Sequence, residues 1–214
     1  MSPKNSNSSH YIFTFLRHGE STGNAEERHQ GQADFPLTEH GKNQVHKLAA
    51  YWKRKGIVFD LAISSPLSRA KQSAEILDQA LHLKLEYAPI WMERDNGKLA
   101  GVLVEKANKE MPSPDNIPLY QPIGMTGESQ WELYQRAGNA LNQLMKNPPG
   151  KYLIISHGAL LNMVIHAAVG LTPKANFQGT NFRFSNTGYT KLNYIPMDNT
   201  WILKIHNLTS HLDD

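Results

Sequence analysis

Tyr11-Ile12-Phe13-Thr14-Phe15-Leu16-Arg17-His18-Gly19 decides how the rest of the chain is read. Six apolar, aromatic or β-branched residues read as a buried strand. The strand then delivers an arginine and a histidine, and a glycine turns the chain. An Arg-His pair at the carboxyl end of a core strand is poor core material and good material for holding and attacking a phosphate.

Working outward, Gly19 to Pro36 lacks periodicity and reads as a functional loop with at most a short helical turn. Thr38 is a plausible N-cap. Val45, Leu48, Ala49 and Trp52 follow at helical spacing, with Gly56 ending the helix. Phe59 to Ser64 reads as a second strand. Ser65-Pro66 then reads as the N-cap and first residue of a helix whose buried face is Ala70, Ala74, Leu77 and Leu81. Lys84 to Tyr87 reads as a short third strand.

Trp91 to Thr126 changes character, with Pro112, Pro114, Pro118 and Pro122 and little periodicity. It reads as an insert over the sheet, its cap portion about 94–126. Ser129-x-x-Glu132 fits a capping box, and its helix runs until Pro148-Pro149-Gly150. Lys151 to Ser156 reads as a buried strand. It is followed by His157-Gly158 and an apolar helix to Val169. Gly188 to Ile195 and Trp201 to His206 read as two strands joined by a turn.

This alternation predicts an α/β fold, a three-layer α/β/α sandwich with a mostly parallel central sheet and helices on both faces. The expected organisation is a disordered tail over 1–10 and a single domain over 11–214. Ligands of such sheets bind at the carboxyl ends of the strands. Arg17 and His18, Arg69 and His157 all fall there, from three separate strands.

The chain has 214 residues and a formal net charge of +3. That mild charge, with no basic stripe interleaved with aromatics, argues against nucleic acid as a partner. Lys53-Arg54-Lys55 reads as a solvated helix end. The absence of cysteine excludes disulfides, thiolate zinc sites and cysteine nucleophiles. No stretch is long and apolar enough to suggest a membrane span, so a soluble, cytoplasmic protein is expected.

A phosphate monoester at that edge could be bound by two guanidiniums, with two imidazoles adding hydrogen bonds. One imidazole, kept neutral by the arginines, could accept the phosphoryl group. Its other nitrogen needs an acceptor, such as a backbone carbonyl of the turn. The leaving alkoxide needs a proton from a carboxylic acid. Glu93 is one candidate, and periodicity does not select it over Glu20, Glu75 or Glu86.

Leu16-Arg17-His18-Gly19-Glu20-Ser21-x-x-Asn24 resembles the signature of the histidine phosphatase superfamily, in its phosphoglycerate-mutase-like branch. Pro36-Leu37-Thr38-Glu39-x-Gly41-x-x-Gln44, Ser64-Ser65-Pro66-Leu67-x-Arg69-Ala70-x-Gln72-Ser73-Ala74, Glu93-Arg94-x-x-Gly97-x-Leu99-x-Gly101, Gly127-Glu128-Ser129 and Ser156-His157-Gly158 resemble its later blocks, in order. The resemblance implies His18 as phosphohistidine nucleophile. It implies Arg17, Arg69 and His157 as the phosphate pocket with Asn24 nearby, and Glu93 as proton donor and acceptor. It also implies catalysis with no metal or other cofactor, on a small phosphorylated metabolite.

The acid block reads Glu-Arg-Asp-Asn-Gly where mutases of the family carry Glu-Arg-His-Tyr-Gly, and the insert is shorter than theirs. Both departures favour a phosphatase over a phosphoglycerate mutase. Gln30-Gly31 falls where mutases place substrate contacts. A non-catalytic phospho-ligand binding module is the alternative of another class, but such relatives lose the nucleophile or the acid, and this chain keeps both. Glu128 reads as structural. Trp91 and Trp131 read as packing, and His10, His29, His40, His46, His82, His166, His206 and His211 as ordinary histidines.

Overall fold

The computed structural model describes residues 10–112 and 114–213. The tail expected over 1–10 lies outside these, His10 excepted.

Six strands form one sheet: β1 (Tyr11–Arg17), β2 (Leu61–Ser64), β3 (Leu85–Tyr87), β4 (Lys151–Ser156), β5 (Tyr189–Ile195) and β6 (Thr200–Leu208). Their order is β3-β2-β4-β1-β5-β6. The first four positions pair in parallel. The β5–β6 hairpin adds an antiparallel edge. β1 is therefore central, with β4 on one side and β5 on the other.

The period of two in β1 divides its side chains between two cores. Phe13 and Phe15 join Tyr152 and Ile154 of β4 on one face, while Leu16 joins Leu153 and Ile155 on the other. Helices α5 (Gln130–Leu144) and α6 (Gly158–Val169) cover the first face. Helices α2 (Glu39–Arg54) and α3 (Ser68–Leu81) cover the second, with Trp52 fully buried against Tyr189 and Phe59. The three-layer α/β/α sandwich is thus the observed fold. α1 (Thr22–Ala25) is the short turn in the first loop.

Two expected caps are present. Thr38 Oγ1 accepts from the Gly41 amide at 2.9 Å, and Ser129 and Glu132 form a reciprocal capping box. The expected start of α3 is wrong. The helix begins at Ser68, after an N-cap at Leu67 that makes no side-chain bond. Ser65 Oγ accepts from the Leu67 amide at 3.3 Å and also from His157. The unpaired amide end is satisfied from another segment, since Asp34 accepts from the Ser68 amide at 2.7 Å and from its hydroxyl.

The Pro-rich stretch also contains a helix that periodicity missed, α4 (Val104–Glu110). Seven residues with one buried side chain, Ala107, are too few to print a helical pattern. The stretch is tied elsewhere: Ile117 and Asn176 exchange two hydrogen bonds, of 3.0 and 2.5 Å. Trp91 is buried against Phe15, and Trp131 packs with Tyr120 and Tyr134, so both tryptophans are packing residues.

Candidate active site

β1 ends at Arg17, so His18 is the first residue beyond the sheet. The turn after it lies flat against the start of α2. A Cβ at Gly19 would meet the Gly41 carbonyl oxygen at 2.5 Å, and one at Gly41 would meet the Glu20 oxygen at 2.0 Å. Two glycines are needed where backbone passes over backbone. Ser73 Oγ accepts from the Gly19 amide at 3.1 Å.

His18 Nδ1 lies 2.6 Å from the Gly19 carbonyl oxygen. A carbonyl only accepts, so Nδ1 carries the proton and Nε2 is left with its lone pair. This is the turn carbonyl that the chemistry required. His18 is buried. Burial, then the positive fields of Arg69 and Arg17, hold its pKa well below the ordinary histidine range. The ring is therefore neutral near pH 7.

Arg69, in the first turn of α3, is also buried. Its Nη2 donates to the Gly31 carbonyl at 2.7 Å, its Nη1 to Ala33, and its Nε to His157 Nδ1 at 3.2 Å. Desolvation lowers its pKa to about 10, opposed by Glu93 and Asp34, so it stays cationic. Arg17 donates from Nη1 to the Phe184 carbonyl at 2.7 Å. Its Nε is buried with no protein partner among the described residues. A buried donor of this kind fits an anion.

His157 follows β4, with its ring 5.1 Å from that of His18. Because Arg69 Nε donates to Nδ1, Nε2 carries the proton and donates to Ser65 Oγ at 2.7 Å. Both ring nitrogens are engaged by protein, Nδ1 by Arg69 and Nε2 by Ser65. Burial and three arginines, with His18, hold its pKa well below the ordinary range.

Glu93 lies at the amino end of α6. One carboxylate oxygen accepts from the amides of Arg94 (2.8 Å) and Leu160 (3.1 Å), the other from Ala159 (3.1 Å). Helix amides that have no intrahelical partner thus fix the carboxylate beside Arg17 and Arg69. The competing acids are elsewhere. Glu20 accepts from Thr38 Oγ1, and Glu75 and Glu86 form surface ion pairs.

A cavity of about 200 Å³ is lined by Arg17, His18, Gln30, Gly31, Arg69 and Glu93, with Arg28, His29, Arg94 and Asn96 around its outer part. Gln30 holds its place through Ser21, whose hydroxyl donates to it at 2.7 Å. Gly31 contributes a carbonyl to Arg69 from a left-handed backbone, φ 51°. Asn24 is set further back. Its Oδ1 closes the capping box of α1 with Ser21 and accepts from Asn186 at 3.2 Å.

Sequence reasoning passed over three residues. Arg94 stands between this cavity and its neighbours, its Nε donating to Asn96 and its guanidinium 5.5 Å from the Phe177 ring. Its signal was present in the quoted Glu93-Arg94 block. Asn186 donates to the His18 carbonyl at 3.1 Å from a segment that carried no motif. Arg136 was read only as part of a helix, yet it donates to the carbonyls of Ile90, Met92 and Glu93. Among the described residues no group of His, Asp or Glu is arranged to hold a metal ion, and no helix is long and apolar enough to cross a membrane.

Comparison with known proteins agrees with this geometry. Residues 13–209 match the histidine phosphatase superfamily (branch 1). The uncharacterized phosphatase PhoE of Bacillus subtilis (strain 168) is 32% identical over 92% of this chain and 94% of its own. The probable phosphoglycerate mutase GpmB of Yersinia enterocolitica is 31% identical over 92% and 93%. The phosphoserine phosphatase of Entamoeba histolytica, solved with 3-phosphoglyceric acid, superposes with TM-score 0.77 at 25% identity over 94% of this chain and 99% of its own. With a central strand that delivers Arg17 and His18, a family match over nearly its whole length and relatives named as a phosphatase and a probable phosphoglycerate mutase, the chain belongs to branch 1 of the histidine phosphatase superfamily.

Proposed function

We propose that the protein hydrolyses phosphate monoesters through a phosphohistidine on His18, with Glu93 as the acid and base. The observation that carries this reading is the state of His18: neutral, buried beside Arg17 and Arg69, with Nδ1 spent on Gly19. Nε2 then has a lone pair and no competing partner among the described residues.

Arg17 and Arg69 bind the phosphoryl oxygens and counter their charge. Nε2 attacks phosphorus and the bond from phosphorus to the ester oxygen breaks. The departing alkoxide takes a proton from Glu93. Water then gives a proton back to Glu93 and attacks the phosphohistidine, which releases inorganic phosphate and restores Nε2. His157 acts through Arg69. Asn24 supports the loop of His18, and Gln30 and Gly31 border the bound phosphate. No step calls on a metal.

Hydrolysis is favoured over mutase transfer because the residues that replace the mutases' His-Tyr are used internally. Asp95 accepts from the Gly97 amide at 2.8 Å, and Asn96 accepts from Arg94. A mutase reading keeps one point in its favour, the likeness to proteins named as probable phosphoglycerate mutases.

The test is a phosphatase assay in EDTA on wild type and His18→Ala, with trapping of an acid-labile, base-stable phosphoryl label. Turnover and label are expected in the wild type and absent from the variant. Equal turnover in the two would end the reading. Incubation with 3-phosphoglycerate and a bisphosphate primer should release inorganic phosphate and no isomer.

A further inference from the structure

A second chamber of about 430 Å³ adjoins the catalytic cavity and shares His29, Arg94 and Asn96 with it. Its other walls are Leu99, Met111, Ile117, Ile123, Met125 and Phe177, with prolines of the insert between them. The size suits a small organic group, and a mostly apolar wall with a few polar groups at the entrance is how such sites are built.

Two observations indicate a built chamber and not a loose gap under a loop. Asn176 and Phe177 both adopt left-handed backbone, φ 58° and 54°, a conformation costly for residues with a Cβ. That pair sets Phe177 against Arg94, and Asn176 makes two bonds to Ile117, another lining residue.

We propose that this chamber receives the alcohol portion of the substrate. The substrate is then a phosphate monoester of an alcohol with an apolar, uncharged body. The inference rests on the proposed phosphatase reaction. Arg94 is the one guanidinium on this wall, turned to Asn96 and the Phe177 ring, and Glu110 beside the chamber is exposed and ion-paired with Lys106. A doubly anionic substrate would turn instead to Lys174 and Arg183, which line a neighbouring cavity of about 320 Å³ with Arg17 and Arg94. Both of those cations are exposed, where solvent and salt screen them.

The test compares kcat/KM for ethyl, hexyl and 2-phenylethyl phosphate, whose leaving alcohols are similar in acidity, and for 3-phosphoglycerate. Calorimetric binding of ethylphosphonate and 2-phenylethylphosphonate, which carry no cleavable ester, runs beside it. The 2-phenylethyl compound should be preferred over the ethyl one in both assays, on the order of tenfold or more. Met125→Asp and Phe177→Ala should bring both ratios back toward unity. Met125 is largely exposed, so its change leaves the fold intact. Turnover without apolar preference, or a preference for 3-phosphoglycerate, overturns the chamber and leaves the catalytic reading standing. A phosphonate preference without turnover supports the chamber and overturns the catalytic reading. Failure to bind either phosphonate overturns the chamber outright.

Discussion

Arg136 and Glu128 meet through two hydrogen bonds of 2.7 Å each, and the same guanidinium donates to the carbonyls of Ile90, Met92 and Glu93. One side chain of α5 thus pins the main chain that presents Glu93, and Glu128 holds that side chain in place. Arg136→Met should remove the pin and strand a half-buried carboxylate. A stability loss of about 3 kcal/mol is expected by denaturant melting. In steady-state kinetics kcat should fall more than KM rises. An unchanged kcat would show that Glu93 holds its position without Arg136.

Glu93→Gln should separate substrates by their leaving groups. An alkyl phosphate needs the proton, so its kcat should drop by about 100-fold or more. Nitrophenyl phosphate leaves as a stable phenolate and should lose much less. Equal losses on the two would assign Glu93 to binding and not to proton transfer.

Acid should destabilise this protein in a definite window. The folded pKa of both His18 and His157 lies well below the ordinary 6.5. The unfolded chain therefore binds protons that the folded one refuses once pH falls below about 6.5. Their contribution to stability is full above that pH. Below it, each histidine contributes a slope of up to about 1.4 kcal/mol per pH unit until its folded pKa is reached. Chemical denaturation at pH 5.5 and 7.5 should show the loss, and His157→Gln should reduce the slope. An identical slope in that variant would place the sensitivity elsewhere.

Gly19→Ala should be costly although the residue touches no substrate. The added Cβ falls 2.5 Å from the Gly41 carbonyl and 2.9 Å from Val45 Cγ2, so the turn or α2 must move. Activity should fall with stability, because the same turn fixes the proton on His18 Nδ1. Wild-type kcat in a folded Gly19→Ala would break that connection.

The sheet and its covering helices were readable because their burial is periodic. Phe13 and Phe15 against Leu16, and Val45 to Trp52, carry their faces in the order of their residues. The pocket was readable for a different reason: Arg17, His18 and His157 sit at strand ends, where an α/β sheet leaves room for ligands. What stayed hidden depends on partners distant in sequence. Asp34 caps α3 from another loop, and Ser65 is held by His157 as well as by the Leu67 amide. The bonds of His157 to Arg69 and Ser65 likewise join segments far apart in the chain. The insert takes its shape from Ile117 meeting Asn176, and nothing in a Pro-rich run announces a contact 59 positions away.

The place of β1 in the sheet bears on how the protein is made. β1 finds its neighbours only when Lys151–Ser156 and Tyr189–Ile195 have followed it. During translation Tyr11 to Leu16 must wait, apolar and unpaired, until Lys151–Ser156 leaves the ribosome. Contacts so remote slow closure of the sheet and lengthen the time in which a nascent edge can meet another chain. The loop of His18 hangs from that strand, so the proposed active site gains its full support only after Tyr189–Ile195 has been made. A ribosome stalled before residue 189 holds an enzyme with every proposed catalytic side chain present and no second neighbour for the strand that carries His18.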